Sequence, residues 1–152
     1  GRRDAPLFFF NFLRELVHTS KILIFYTLKN IVYYRYKVNE REVKIMTNAY
    51  FENLINEDKQ NLTRGKVIAY LLYKHRTSEV LILNSFLWDS DVSDFINTLR
   101  QAGVKSFVYT NTSTAVMDNF HAFIENGCKF VEACIVENVE TGKKDKGFKF
   151  EL

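Results

Sequence analysis

A chain of 152 residues, 47% apolar and 26% charged, is long enough to bury one real core and too short for several domains. The formal net charge of +3 is unevenly spread: residues 1–46 carry nine Lys/Arg against four Asp/Glu, and residues 47–152 carry twelve against fourteen. The acidic balance of the longer part argues against a nucleic-acid function, which needs a basic stripe on the fold itself.

Cysteine and histidine usage narrows the chemistry further. Cys128 and Cys134 form neither a CxxC motif nor a disulfide framework. They read as two buried thiols in a reducing, cytoplasmic compartment. His18, His75 and His121 are scattered without metal-ligand spacing.

The charge asymmetry divides the chain into a basic, aromatic-rich extension, residues 1–45, and a folded domain, residues 46–152. In the extension, Arg14, Glu15, Lys21 and Lys29 interrupt every apolar run, so no membrane-spanning helix is expected. Lysines and arginines alternating with aromatics fit membrane contact of residues 7–36 through an amphipathic segment. A second reading treats the segment as a non-native leader. Of residues 7–39, 18 of 33 are Phe, Tyr, Ile, Asn or Lys, all encoded by AT-rich codons, and Glu40-Arg41-Glu42 can be encoded by a purine run upstream of Met46. Met46 is then the expected native start, and Gly1 opens a fragment or a processed product. An ordinary extra helix and strand is the alternative.

Thr47 or Asn48 is placed to cap a helix over residues 49–62, with Tyr50, Phe51, Leu54 and Ile55 at helical spacing. Gly65 is expected to break the chain. Residues 67–73 (VIAYLLY) and 79–88 (EVLILNSFLW) read as two strands joined by a polar turn, an antiparallel hairpin covered on both faces. Asp89-Ser90-Asp91 supplies cap chemistry for a helix over 92–101, where Val92, Phe95, Ile96 and Leu99 share a face. Gly103 ends it. A strand over 104–110 follows, and Asn111, Thr112 and Ser113 cap a helix with Ala115, Val116, Phe120, Phe123 and Ile124 on one side. Gly127 closes that helix. Strands over 129–137 and 147–152, joined by NVETGKKDK, complete a C-terminal hairpin. The fold class is α/β with a mixed (α+β) sheet: antiparallel hairpin, helix, parallel strand, helix, hairpin.

That order resembles the second half of the GNAT superfamily of N-acetyltransferases. The segments carrying the resemblance are Val108-Tyr109-Thr110-Asn111 leading into a helix and Phe123-Ile124-Glu125-Asn126-Gly127 ending it, similar to the family's asparagine after its fifth strand and its "FYEKLGF" close. The likeness covers residues 66–152 at the level of fold. It implies an acetyl-CoA cofactor lying in a V-shaped split between the strands over 80–88 and 104–110, with an amine as acceptor. By that resemblance Leu83, Asn84 and Ser85 pair with the pantetheine arm and Ser90 and Ser93 face the pyrophosphate at a helix N-terminus. Asn111 and Asn119 complete the expected cofactor-binding set, and Tyr109, on the neighbouring strand, is the best available acid.

The pattern departs from the family in two places. Where the family has a glycine-rich loop, this chain reads Trp88-Asp89-Ser90-Asp91-Val92-Ser93-Asp94, with no glycine and three carboxylates. Ile124 stands where the family's catalytic tyrosine is expected. Small relatives of the same scaffold occur as internal proteins of phage virions, so a non-catalytic structural or interaction protein, in a virion or with a protein partner, is the alternative. A plain flavodoxin-like or receiver-like sheet is disfavoured by the terminal hairpin.

Overall fold

The computed structural model describes residues 34–36, 47–57, 61–76, 79–111 and 113–152. The expectations of membrane contact, of a leader and of a start at Met46 concern residues that lie, apart from 34–36, outside this set. So do His18, Thr112 as a cap, and residues 58–60 of the first expected helix.

Among the described residues the elements run β1 (Tyr34–Tyr36), α1 (Ala49–Glu57), α2 (Arg64–Lys74), β2 (Leu81–Leu83), α3 (Asp89–Gln101), β3 (Ser106–Tyr109), α4 (Val116–Glu125), β4 (Lys129–Asn138) and β5 (Lys144–Glu151). The strands form one mixed sheet in the order β1-β4-β5-β3-β2. Among neighbouring strands only β2 and β3 pair in parallel, joined by the crossover helix α3; α4 carries the chain from β3 to β4, which run in the same direction with antiparallel β5 between them. β1, drawn from the segment set apart as an extension, pairs antiparallel with the outer edge of β4. Among the described residues no helix is long and apolar enough to cross a membrane.

The first expected hairpin does not exist. Residues 67–73 lie in helix α2, and only Leu81–Leu83 of the second run is strand. Seven consecutive α2 residues, Val67, Ile68, Ala69, Tyr70, Leu71, Leu72 and Tyr73, are all buried. A helix buried all round carries no amphipathic period and reads like a buried strand. Its start is set by Thr63, whose side chain accepts the Lys66 N–H. Gly65 does not break the chain either. It sits in the first turn of α2 against α3, where a Cβ would collide with the Asp91 carbonyl oxygen and lie 2.9 Å from Asp94 Cβ. Glycine here sets the distance between two helices.

The remaining elements lie close to their expected places. Asn48 Oδ1 accepts the Phe51 N–H and caps α1, which ends at Glu57. α3 begins at Asp89, three residues early, so Asp89, Ser90 and Asp91 form its first turn instead of preceding it. Gly103 adopts φ +77° after α3, the left-handed conformation that favours glycine. β5 begins at Lys144, inside the expected loop.

Strand alternation sorts the core onto two faces. Leu81, Leu83, Phe107, Tyr109 and Phe150 face one cluster to which all four helices contribute, whereas Ile82, Val108 and Val136 form a smaller cluster on the other face. Phe107 links α3, α4 and β5 through its ring. It stacks on Phe150 at 5.5 Å and meets Phe95 and Phe123 edge-on, geometries that suit the ring quadrupoles.

Candidate functional site

The C-terminal ends of the parallel strands β2 and β3 are where an α/β sheet ordinarily opens to a ligand. Here they stay closed. Leu81, Ile82 and Leu83 pair with Phe107, Val108 and Tyr109, and the next rung, Thr110 N–H to the Leu83 carbonyl, is made at 2.8 Å. Every residue of β2 is therefore in the ladder, and the V-shaped split expected between these strands is not present within them. The Leu83 carbonyl, expected to pair with a pantetheine arm, is already bonded.

Beyond Leu83 the chain leaves the sheet and crosses to α3 through residues 84–88. One side chain fixes that crossing. Asn119, buried on α4, accepts the Leu87 N–H at 3.1 Å and donates to the Leu87 carbonyl at 2.6 Å. The chemistry of Leu87 settles the orientation of the amide: oxygen faces the N–H, nitrogen faces the carbonyl. The same oxygen receives the Tyr109 hydroxyl at 2.8 Å. That bond uses the tyrosine's only proton, so the hydroxyl in turn accepts from Asn111 Nδ2 at 3.2 Å. Burial pushes the Tyr109 phenol up to about 12, against an opposing effect of the Asn111 hydrogen bond.

The structure thus brings together three of the expected site residues, Tyr109, Asn111 and Asn119, but as an internal hydrogen-bond network. Tyr109 is fully buried with its proton committed to Asn119, a poor position for an acid that must reach a departing thiolate. Ser90 and Ser93 are exposed in the first turns of α3. Asn84 and Ser85 are half-buried, and Asn84 Oδ1 is buried without a hydrogen-bond partner. Asn111 Oδ1 also accepts the Ser113 N–H, which shapes the turn into α4.

These residues do not fit acetyl-CoA. The α3 N-terminus offers Asp89, Asp91 and Asp94 where a diphosphate is expected, with no glycine to let the backbone approach. Each like-charge contact at about 4 Å costs roughly 1 kcal/mol in water, and more when partly buried. Asp91 has a structural task instead. Its carboxylate accepts Arg64 Nη1 at 2.6 Å and the Trp88 N–H at 3.2 Å, and Arg64 Nη2 reaches the Phe86 carbonyl at 3.1 Å. Two anchors, Asn119 from one side and Arg64 from the other, hold residues 86–88 in place.

Beside this anchored loop lies a cleft of 430 Å³, lined by Phe86, Leu87, Trp88, Asp89, Asp118, His121, Ala122 and Glu125. His121 Nδ1 is 3.7 Å from Glu125. Trp88 is 63% exposed, and its ring meets Phe86 edge-on at 4.8 Å. The sequence pattern placed Asp89 in a cap and His121 among scattered histidines and did not join them. The available signal was the spacing of Asp118, His121 and Glu125, three and four apart on one helix face. Among the described residues no group of His, Cys, Asp and Glu is arranged to hold a metal ion.

No curated protein and no solved structure shows significant similarity to the chain. A family model described as a domain of unknown function, DUF7698, matches residues 66–150, from α2 through nearly all of β5. That span holds the Asn119 anchor and the whole cleft, with Arg64 just before it, and it is more than half of the sequence: the chain belongs to the DUF7698 family.

Proposed function

We propose that this domain is a non-catalytic binding or structural module, and that acyl transfer from acetyl-CoA is not its activity. The observation that carries the reading is the unbroken pairing of β2 with β3, together with the commitment of the Tyr109 proton to Asn119. A transferase of the expected kind needs an opening between those strands and an acid able to reach the thioester. Leu83, Asn84 and Ser85 offer no such opening, and carboxylates occupy the place of the phosphates. Two free thiols, Cys128 held up to about 11 and Cys134 also raised, both chiefly by burial, suit a quiet structural role in a reducing cytoplasm or inside a virion.

Titration calorimetry with acetyl-CoA at about 1 mM, a weak-binding limit near −4 kcal/mol, tests this reading. The expected result is no heat of binding and no release of free CoA thiol when an amine is added. Saturable heat, with thiol release, overturns it and restores the acyltransferase expectation.

A further inference from the structure

We propose that the cleft between residues 86–89 and α4 binds an organic cation, an alkylammonium or guanidinium group, held against the Trp88 indole. The inference rests on the reading of the domain as a binding module and names the chemistry of its ligand.

Trp88 supplies the first observation. It occupies the N-cap of α3 and makes no side-chain capping bond. Ser, Thr, Asp and Asn are the residues that stabilise that position, each by about 1 kcal/mol over an apolar residue. Burial does not recover this loss, because the residue is 63% exposed. A position that breaks a local rule without gain in packing points to function. The residue is also held rigidly. Its N–H is bonded to Asp91, its neighbour Leu87 is clamped by Asn119, and its neighbour Phe86 by Arg64.

The second observation is the charge of the walls. Asp89, Asp118 and Glu125 line the cleft and no lysine or arginine does. Asp89 and Asp118 each lie in the first turn of a helix, which accounts for either one singly. It does not account for their convergence from two helices on one aromatic-walled cleft. Neither has an ion-pair partner among the described residues. An aromatic face with carboxylates around it is the arrangement that binds ammonium and guanidinium groups, because the ring quadrupole and the anions attract the same charge. The cleft of 430 Å³ suits a small organic cation or one cationic side chain.

Trp88 is the only tryptophan of the chain, so its emission reports on this cleft alone. The test titrates the full chain with spermidine, with a capped trilysine peptide, and with uncharged octanediol. Calorimetry gives the affinity and Trp88 emission gives the location. Expected is a saturable change in both signals with at least one of the two cations and none with the diol. A preference for spermidine identifies a free amine, and a preference for the peptide identifies a lysine-bearing partner. Asp89→Asn together with Asp118→Asn is expected to weaken binding about tenfold or more, taking roughly 1.4 kcal/mol as a factor of ten, with only a small loss of urea stability, because both side chains are exposed and give up no more than their interaction with a helix dipole. Raised ionic strength is expected to weaken it as well. The proposal is overturned by no saturable signal with either cation, by an equal response to the diol, or by a double variant that binds as well as the native chain. None of these outcomes involves acetyl-CoA, so the reading of the domain as non-catalytic stands or falls separately.

Discussion

Asn119 on α4 grips Leu87 by both its backbone groups, at 3.1 Å to the N–H and 2.6 Å to the carbonyl. A side-chain amide here does what a neighbouring strand does for a residue within a sheet. It satisfies a buried backbone pair where the chain has left the ladder of β2 and has not yet entered α3. The Tyr109 hydroxyl joins the same oxygen, so one side chain ties together a loop, a helix and the end of β3.

Replacing Asn119 by Ala leaves the Leu87 N–H, the Leu87 carbonyl and the Tyr109 hydroxyl without that partner. With each unsatisfied buried group costing about 1–3 kcal/mol, a loss of roughly 3–5 kcal/mol is expected in urea unfolding. A loss below about 1 kcal/mol shows that water replaces the amide without penalty and that the network does not hold the loop.

Alkaline pH tests the tyrosine. The Tyr109 phenol is raised from 10.0 to about 12 in the native state, so the native protein keeps a proton that the unfolded chain releases first. Its contribution is complete below pH 10 and is lost as pH rises through about 12, a decline on the order of 2–3 kcal/mol. Tyr34, also raised to about 12 by burial and by Asp145, adds a decline of the same sign. Tyr109→Phe is expected to remove only its own share, read from urea midpoints at pH 9.5 and above, roughly where phenols begin to titrate. An unchanged pH profile in the variant contradicts the burial of this hydroxyl.

Two glycine substitutions separate packing from backbone conformation. Gly65→Ala improves helix propensity by about 1 kcal/mol, but its Cβ meets the Asp91 carbonyl and Asp94 Cβ. Overpacking costs about 1–3 kcal/mol, so net destabilisation of α2 against α3 is expected. Gly103→Ala meets nothing within 4 Å and loses only through its φ of +77°, about 1–2 kcal/mol. Thermal unfolding distinguishes the cases, because a second change, Asp94→Gly, relieves part of the Gly65→Ala clash and leaves Gly103→Ala unaffected. Additive effects for Gly65→Ala and Asp94→Gly contradict the contact.

Arg64→Lys is the fourth test. The guanidinium spans Asp91 and the Phe86 carbonyl at once, a reach that a single ammonium does not reproduce. The pair is partly shielded, with side chains 25% and 10% exposed. A loss of about 1–2 kcal/mol and a shift in Trp88 emission are expected together. A stability loss without any emission shift shows that Arg64 does not position residues 86–88.

The sequence made some of this legible and concealed the rest for physical reasons. The face of α3 made by Val92, Phe95, Ile96 and Leu99 is amphipathic, and all four residues are buried. Its period survives because one side of the helix meets water. α2 shows the opposite case, since burial on every side erases the period and leaves only the Thr63 cap as a signal. On α4 the expected apolar side ran through Ile124, which is 45% exposed, whereas polar Asn119 is 1% exposed. Apolarity misplaced that face because a side chain with its hydrogen bonds made internally can be buried at little cost.

What the chain by itself determined is short-range. The turns at Gly103 and Gly127, the crossover of α3 between two parallel strands and the C-terminal hairpin follow from residues within one or two helical turns of each other. The tertiary structure alone decided that residues 67–73 are helical, that β1 joins the outer edge of β4, and that Asn119 meets Leu87 across 32 positions. Such outcomes depend on which distant partner covers a surface or satisfies a polar group, and that energy is absent until the chain has collapsed. The cleft beside Trp88 belongs to the second class: its walls come from residues 86–89 and 118–125, which only the closed sheet and the Asn119 clamp bring face to face.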